Sequence, residues 1–181
     1  MDEQKELTPA HRRFTHVAQH STVDYALRTL QQSLVHFSAM ADAKANIVIT
    51  VSALVFTLAL ARVAEPELRI PVLALLSGAF GALVLAILCV LPGRYVPVES
   101  TAGNTLFFLH YGTTTVEDYL DRMDALVGDL PGVYDAILRD IHGQGSALAR
   151  RKFRLLRWSY GALLAGFGSA GVIALLELGL F

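Results

Sequence analysis

An uninterrupted apolar run at residues 70–91 constrains this chain more than any other feature. It contains no Asp, Glu, Lys or Arg, and a helix of this length crosses the roughly 30 Å hydrocarbon core of a bilayer. Two further apolar stretches lie at 45–61 and 159–181, and the last of them contains one acid, Glu177. The sequence therefore predicts an all-α membrane protein with three transmembrane helices. Three buried helices of a soluble protein are the disfavoured alternative, because an uncharged run this long is typical of a bilayer span.

The polar residues divide the remainder of the chain. The first 20 residues form a polar tail, compatible with disorder, and they lack the apolar core of a cleavable signal peptide. No Gly or Pro separates the next segment from the first span, so we expect one unbroken helix, and Glu65-Pro66 marks a hairpin turn between the first two spans. The predicted segments are a tail at 1–20, a cytoplasmic helix at 21–44, spans at 45–62, 70–92 and 159–181, and a cytoplasmic helical lobe at 93–158.

Lys and Arg are distributed unevenly around the spans. The hairpin has Arg62 and Arg69, whereas most other basic residues lie before the first span or between the second and third. Cytoplasmic loops of membrane proteins carry the excess of Lys and Arg. We therefore expect a cytoplasmic N-terminus and lobe, with the hairpin and the C-terminus outside. Glu177 would then lie near the outer interface, where a carboxylate costs less than at mid-bilayer.

The lobe is predicted to be helical. Thr115 begins a capping-box pattern, and Pro131 suits the first turn of the following helix. That second helix can continue through a basic stretch into the third span. Gly143 and Gly145 are the weak points at which it would bend.

Small residues recur at a spacing of four in two of the spans. Such pairs let helix backbones approach closely, either within one chain or between chains. The pairs are Ser77/Gly81, Gly78/Ala82, Gly161/Ala165 and Ala162/Gly166.

Charged residues lie where two cytoplasmic segments meet a span, before the first span and before the third. At the first junction, the ordinary interpretation is that Lys44 reaches the lipid headgroups and Asp42 is solvated. Before the third span stands the basic segment, residues 150–160, which can anchor the chain to anionic lipid. Arg150, Arg154 and Arg157 also share one stripe of a helix, and that stripe could instead face inward toward an anionic ligand.

Several functional classes lack their sequence signals. The chain has no phosphate-binding loop, dinucleotide fingerprint, zinc-protease motif or nucleophile elbow. His16 and His20 have no third ligand in register, so a metal site is not expected. The single cysteine, Cys89, excludes an internal disulfide. With a formal net charge of -1, no global field attracts nucleic acid. We expect neither an enzyme nor a cofactor.

Four stretches, in order, resemble one family. They are FSAMADAKANIVITVSAL at the first span, NTLFF at 104–108, VEDYLDRM at 116–123 and VYDAILRDIHGQGSALARRKFRLLRWSY at 133–160. Their order and their placement around the three spans resemble the transmembrane effectors of the Pycsar antiphage system. The resemblance covers residues 37–160. It implies that a partner cyclase makes cyclic UMP or cyclic CMP on infection, and that the effector senses it and damages the bacterial inner membrane, causing abortive infection.

The resemblance also implies a ligand site, without an enzymatic step. A cyclic monophosphate needs Arg or Lys donors for its charge and a stacking or hydrogen-bonding surface for its base. If the three spans form a bundle, the residues that precede the first span and those that precede the third come together. We also expect a homo-oligomer in the bilayer. A constitutive membrane scaffold and a small channel component without nucleotide input are the alternatives. The predicted ligand contacts are Lys44, Asn46, Asn104, Phe107, Tyr119, Lys152, Arg154, Arg157 and Tyr160.

Overall fold

The computed structural model describes residues 21–91 and 115–177, and they belong to two compact units. Unit one combines Met1–Val35 with Arg94–Ser146, and unit two combines His36–Gly93 with Ala147–Phe181. Every regular element in these described ranges is a helix, which confirms the predicted all-α class. The elements are α1 (Ser21–Arg62), a 3₁₀ turn (Pro66–Leu68), α2 (Arg69–Val90), α3 (Val116–Val127), α4 (Leu130–Ala147), a π-helical segment (Leu148–Phe153) and α5 (Arg154–Glu177).

Helix α1 is unbroken over 42 residues, as the sequence predicts. At about 1.5 Å per residue it is roughly 60 Å long, twice the thickness of the hydrocarbon core. Thr50 and Thr57 donate hydrogen bonds to the carbonyl oxygens four residues earlier. These bonds satisfy the two hydroxyls within the apolar part of the helix, where no water is available to do so.

The turn after α1 lies where the sequence places it. Glu65 is extended, with φ -77° and ψ 115°, because the ring of Pro66 disfavours helical geometry in the residue before it. The guanidinium of Arg62 donates a 2.7 Å hydrogen bond to the carboxylate of Glu65. Pro66 then begins the short 3₁₀ turn that leads into α2.

The helix that leads into the third span is not interrupted at its glycines. One continuous helical stretch runs from Pro131 to Glu177, over 47 residues, and Gly143 and Gly145 lie inside α4. The departure from α geometry falls at the π-helical segment Leu148–Phe153 instead. A π turn takes in about one more residue than an α turn, so the irregularity changes which side chains face inward without stopping the helix.

The three apolar helices of unit two pack through small residues. Ala41 and Ala45 of α1 contact Cys89 of α2 and Leu156 of α5 in one buried cluster. A second buried cluster joins Val48 of α1 to alanines of α2. Large apolar side chains are exposed around this bundle, among them Leu54, Leu58, Phe80, Leu164 and Phe167.

A bundle with a small-residue interior and an apolar exterior is suited to lipid. A soluble protein buries its large apolar side chains and rarely exposes broad apolar surfaces. In a bilayer the surroundings are already apolar, so close backbone packing holds the helices together. All three helices are long and apolar enough to cross a membrane. The chain is a multi-pass membrane protein.

Helices α2 and α5 come closest at Gly78 and Gly166. A Cβ added at Gly78 would lie 2.4 Å from the Cα of Gly166, so only glycine fits there. A Cβ at Gly81 would lie 3.9 Å from that of Ala162. The predicted small pairs Gly78/Ala82 and Ala162/Gly166 therefore serve a contact within one chain. A Cβ added at Gly161, by contrast, would meet no atom within 4 Å.

Unit one joins the first part of α1 to α4. The hydroxyl of Tyr134 donates a 2.8 Å hydrogen bond to a carboxylate oxygen of Asp24. Further along, a Cβ at Gly145 would lie 3.5 Å from Leu34. From the first of these contacts to the second, the residue numbers increase along both helices, so the two helix segments run parallel. Leu27 and Tyr134 are buried in this unit.

Two ionisable groups of α4 have raised pKa values. The hydrogen bond to Asp24 raises the pKa of Tyr134, with burial adding to it. Burial likewise raises the pKa of Asp140, while the hydrogen bond from the amide of Gln144 opposes that shift. The other carboxylate oxygen of Asp140 is buried without a hydrogen-bond partner. Burial without full pairing disfavours the charged form of an acid.

Helix α3 begins at the predicted cap. The Thr115 side chain accepts a hydrogen bond from the backbone N–H of Asp118 at 3.3 Å, which satisfies one of the free donors of the first turn. None of the α3 residues is buried. The helix therefore contributes little to the buried part of unit one that the structure describes.

Candidate ligand site at the α1–α5 junction

Lys152 of the π-helical segment is the centre of the most organised polar cluster in unit two. Its ammonium donates to both carboxylate oxygens of Asp42, each at 2.8 Å, and to the hydroxyl oxygen of Ser38 at 2.9 Å. An ammonium has three protons. All three therefore have acceptors, and both acceptor residues come from α1.

The helices on either side explain this geometry. Ser38 and Asp42 are four residues apart on α1, so they lie on one face and can reach the same cation. Directly next to them, Ala41 and Ala45 are fully buried against Cys89 and Leu156. Their small side chains let α1 approach α5 closely enough for Lys152 to span the gap.

The π-helical segment contributes a second polar contact. The thiol of Cys89 donates to the backbone carbonyl oxygen of Lys152 at 3.4 Å. Carbonyls in a wide turn are displaced from their α-helical partners, and this one has a partner on α2. The three apolar helices are thus linked by polar contacts at the level where the first and third spans begin and the second span ends.

The Lys152–Asp42 ion pair remains within reach of solvent. The side chains are 26% and 35% exposed, and a pair of this exposure contributes about 1 kcal/mol or less. Such a pair orients the helices without locking them. A competing anion could therefore reach Lys152 at a modest energetic cost.

The arginines of the basic segment behave differently from Lys152. Arg150, Arg154 and Arg157, the stripe that could have faced inward, are exposed. Lys152 turns toward α1 in their place. In both an α turn and the wider π turn, residues two apart are separated by roughly half a turn, so Arg150 and Arg154 lie roughly half a turn away from Lys152.

The structure brings only part of the predicted site together. Lys44 and Asn46 of α1 are exposed, as is Tyr160 of α5. Tyr119 lies half-buried in unit one. Asn104 and Phe107 lie outside the described residues, as do His16 and His20. In the described ranges, no three His, Cys, Asp or Glu side chains cluster as metal ligands would.

Sequence reasoning did not identify Ser38 and Asp42 as partners of Lys152. A solvated Asp42 is the wrong interpretation, because its carboxylate is ion-paired with Lys152. The available signal was the spacing of four from Ser38 to Asp42 on the face that also carries Ala41 and Ala45. A polar pair on the small-residue face of a span requires a polar partner.

Comparison with known proteins agrees with this architecture. A family model described as the Pycsar effector protein domain matches residues 13–179, nearly the whole chain. No curated protein and no solved structure matches. The match includes all three spans and the junction at Lys152. The chain belongs to the Pycsar effector family and is a membrane-embedded effector of antiphage defence.

Proposed function

We propose that this effector senses a cyclic pyrimidine mononucleotide, cUMP or cCMP, made by a partner cyclase, and that it then disrupts the bacterial inner membrane and causes abortive infection. Membership of the Pycsar effector family supports the defence role. The observation that carries the site is the partly exposed Lys152, held by Asp42 where the first and third spans begin. N-terminus and lobe are cytoplasmic in this proposal, on the side where the nucleotide is made.

The nucleotide phosphate competes with Asp42 for Lys152. Both are singly charged oxygen acceptors, and a hydrogen bond to a charged group contributes about 1.5–3 kcal/mol. Of the predicted contacts, Lys152 is the one that this proposal uses for the phosphate. Lys44, Asn46 and Tyr160 are exposed residues of the same unit and are proposed to contact the rest of the ligand.

Release of Asp42 changes the packing of α1 against α5. A ligand shifts a conformational equilibrium only through its different affinity for two states, and the nucleotide favours the state in which Lys152 is free of Asp42. Buried residues of α1, α2 and α5 are in direct contact, so a path through the membrane requires several copies. A homo-oligomer is therefore part of the proposal.

Isothermal titration of the purified full chain in detergent tests the nucleotide. The titrants are cUMP, cCMP, cAMP and cGMP, and one of the two pyrimidine nucleotides should bind most tightly. Lys152→Gln should weaken that binding at least about tenfold. Asp42→Asn should instead strengthen it, by up to about fivefold, because the competing carboxylate charge is gone.

Because the two substitutions are expected to change nucleotide affinity in opposite directions, they distinguish competition between Asp42 and the phosphate from a purely structural role of the ion pair. If the ion pair only supports the fold, both variants weaken binding together. Absence of binding by every cyclic nucleotide would refute the proposal, and a constitutive scaffold would then explain the chain better. Influx of a membrane-impermeant dye into cells that express the protein tests the output, and it should require the same nucleotide.

A further inference from the structure

The basic segment contains four exposed arginines that have no counter-charge among the residues that the structure describes. Arg150, Arg151, Arg154 and Arg157 are all exposed and directly precede the apolar part of α5. In the described ranges, none of their side chains has a hydrogen bond or an ion pair. These four residues are the arginine face. Their charges are open to water or to an anionic partner.

The acid at this level of the bundle is already paired. Asp42 gives both of its oxygens to Lys152, and Lys152 lies roughly half a turn from Arg150 and Arg154 on the helix. The chain thus separates one cation that faces inward from four that face outward. The outward group spans about 10 Å along the helix axis, comparable to the headgroup layer on one side of a bilayer.

Two aromatic residues place the arginine face at the membrane interface. Trp158 is 65% exposed and follows Arg157 directly, and Phe153 is 37% exposed between Lys152 and Arg154. Tryptophan is enriched where the headgroups meet the hydrocarbon. An exposed tryptophan beside exposed arginines therefore marks the depth at which phosphate groups of lipids are found.

We propose that the arginine face binds the headgroups of anionic phospholipids in the leaflet from which α5 enters the membrane. Arginine pairs with phosphate oxygens in a two-pronged geometry. A soluble phosphate compound offers the same chemistry. The lipid is the better fit because all four side chains are exposed, with Arg150, Arg154 and Arg157 in one row along the helix, and they do not converge on an enclosed site.

Trp158 provides the measurement, because it is the one tryptophan of the chain. The full chain is reconstituted into phosphatidylcholine vesicles with a fraction of brominated lipid, and quenching of tryptophan fluorescence reports the lipid in contact with it. Brominated phosphatidylglycerol should be preferred over brominated phosphatidylcholine about fivefold. The preference should fall in 0.5 M salt, since surface charges are then screened.

The variant R150Q/R151Q/R154Q/R157Q should lose the preference, leaving a ratio of about one. R62Q/R69Q removes positive charge from the hairpin and serves as the matched control, with the preference unchanged. If the fourfold variant does not fold, R150Q/R154Q replaces it and should lose at least half of the preference.

Equal quenching by both brominated lipids in the unaltered protein would overturn the proposal. So would a preference for the anionic lipid that survives in the arginine variants. A third such result is displacement of the anionic lipid by 1 mM inorganic phosphate or cyclic nucleotide. The last result would assign the arginines to a soluble anion. No nucleotide is needed for the main measurement, so its outcome is independent of the proposed sensing function.

Discussion

The two units hold α1 in different ways. Unit one buries large side chains, Leu27 of α1 and Tyr134 of α4 among them. Unit two packs small ones, with Ala41 and Ala45 fully buried and the backbones of α2 and α5 in contact at Gly78 and Gly166. The difference follows from the surroundings: water rewards burial of large apolar groups, whereas lipid does not, so close approach of the helices matters more.

The polar contacts differ between the units as well. In unit one the partner of an α1 aspartate is the neutral phenol of Tyr134. In unit two it is the cation of Lys152. A carboxylate next to the apolar spans is costly unless it is paired with a cation. A carboxylate in a water-facing helix requires no such cation, and Tyr134 is sufficient there.

Among the substitutions that test this difference between the units, one at Gly166 should have the largest effect on stability. A Cβ at this position would lie 2.8 Å from the Cα of Gly78, so Gly166→Val forces α2 and α5 apart. We expect the thermal unfolding midpoint of the detergent-purified chain to fall by about 5–10 °C. Gly168→Val is the matched control on the same helix, because a Cβ there meets nothing within 4 Å. Equal losses in both variants would show that the glycine crossing does not hold unit two.

The corresponding substitution in unit one is Leu27→Ala. Leu27 is 8% exposed, and truncation of a buried leucine costs about 2 kcal/mol or more. Amide hydrogen exchange should accelerate in 21–35 and in α4. Leu30→Ala, at a leucine that is 49% exposed, should change exchange little. Faster exchange in α2 would contradict the local packing described for unit one.

The smallest effect is expected for the ion pair of unit two. Asp42→Ala and Lys152→Ala should each cost about 1 kcal/mol, and the double variant should cost less than the sum. The free energies of unfolding of the unaltered protein, the two single variants and the double variant form a double-mutant cycle that measures the coupling between the two residues. Arg154→Ala in place of Lys152→Ala is the control and should show no coupling with Asp42. Additive losses for Asp42 and Lys152 would mean that the pair does not stabilise unit two.

Much of the architecture follows from local sequence. The uncharged run in α2, the Glu65-Pro66 turn and the cap at Thr115 each depend on residues close together in the chain. The candidate site is less accessible from sequence. Lys152 and Asp42 are separated by 110 positions, and the π-helical segment that lies between α4 and α5 has no distinctive residue pattern.

The amino-acid sequence is enough to predict three entries into the membrane, because the cost of leaving polar groups in lipid is set by local composition. It also determined that close helix contacts were possible, through the spacing of small residues. Only the tertiary structure decided which faces meet: Gly78 with Gly166 within one chain, and Lys152 rather than Arg154 toward α1. The reason is that the rotation of a long helix is fixed by its neighbours, and a wide turn such as the one at residues 148–153 shifts the positions of the side chains that follow it.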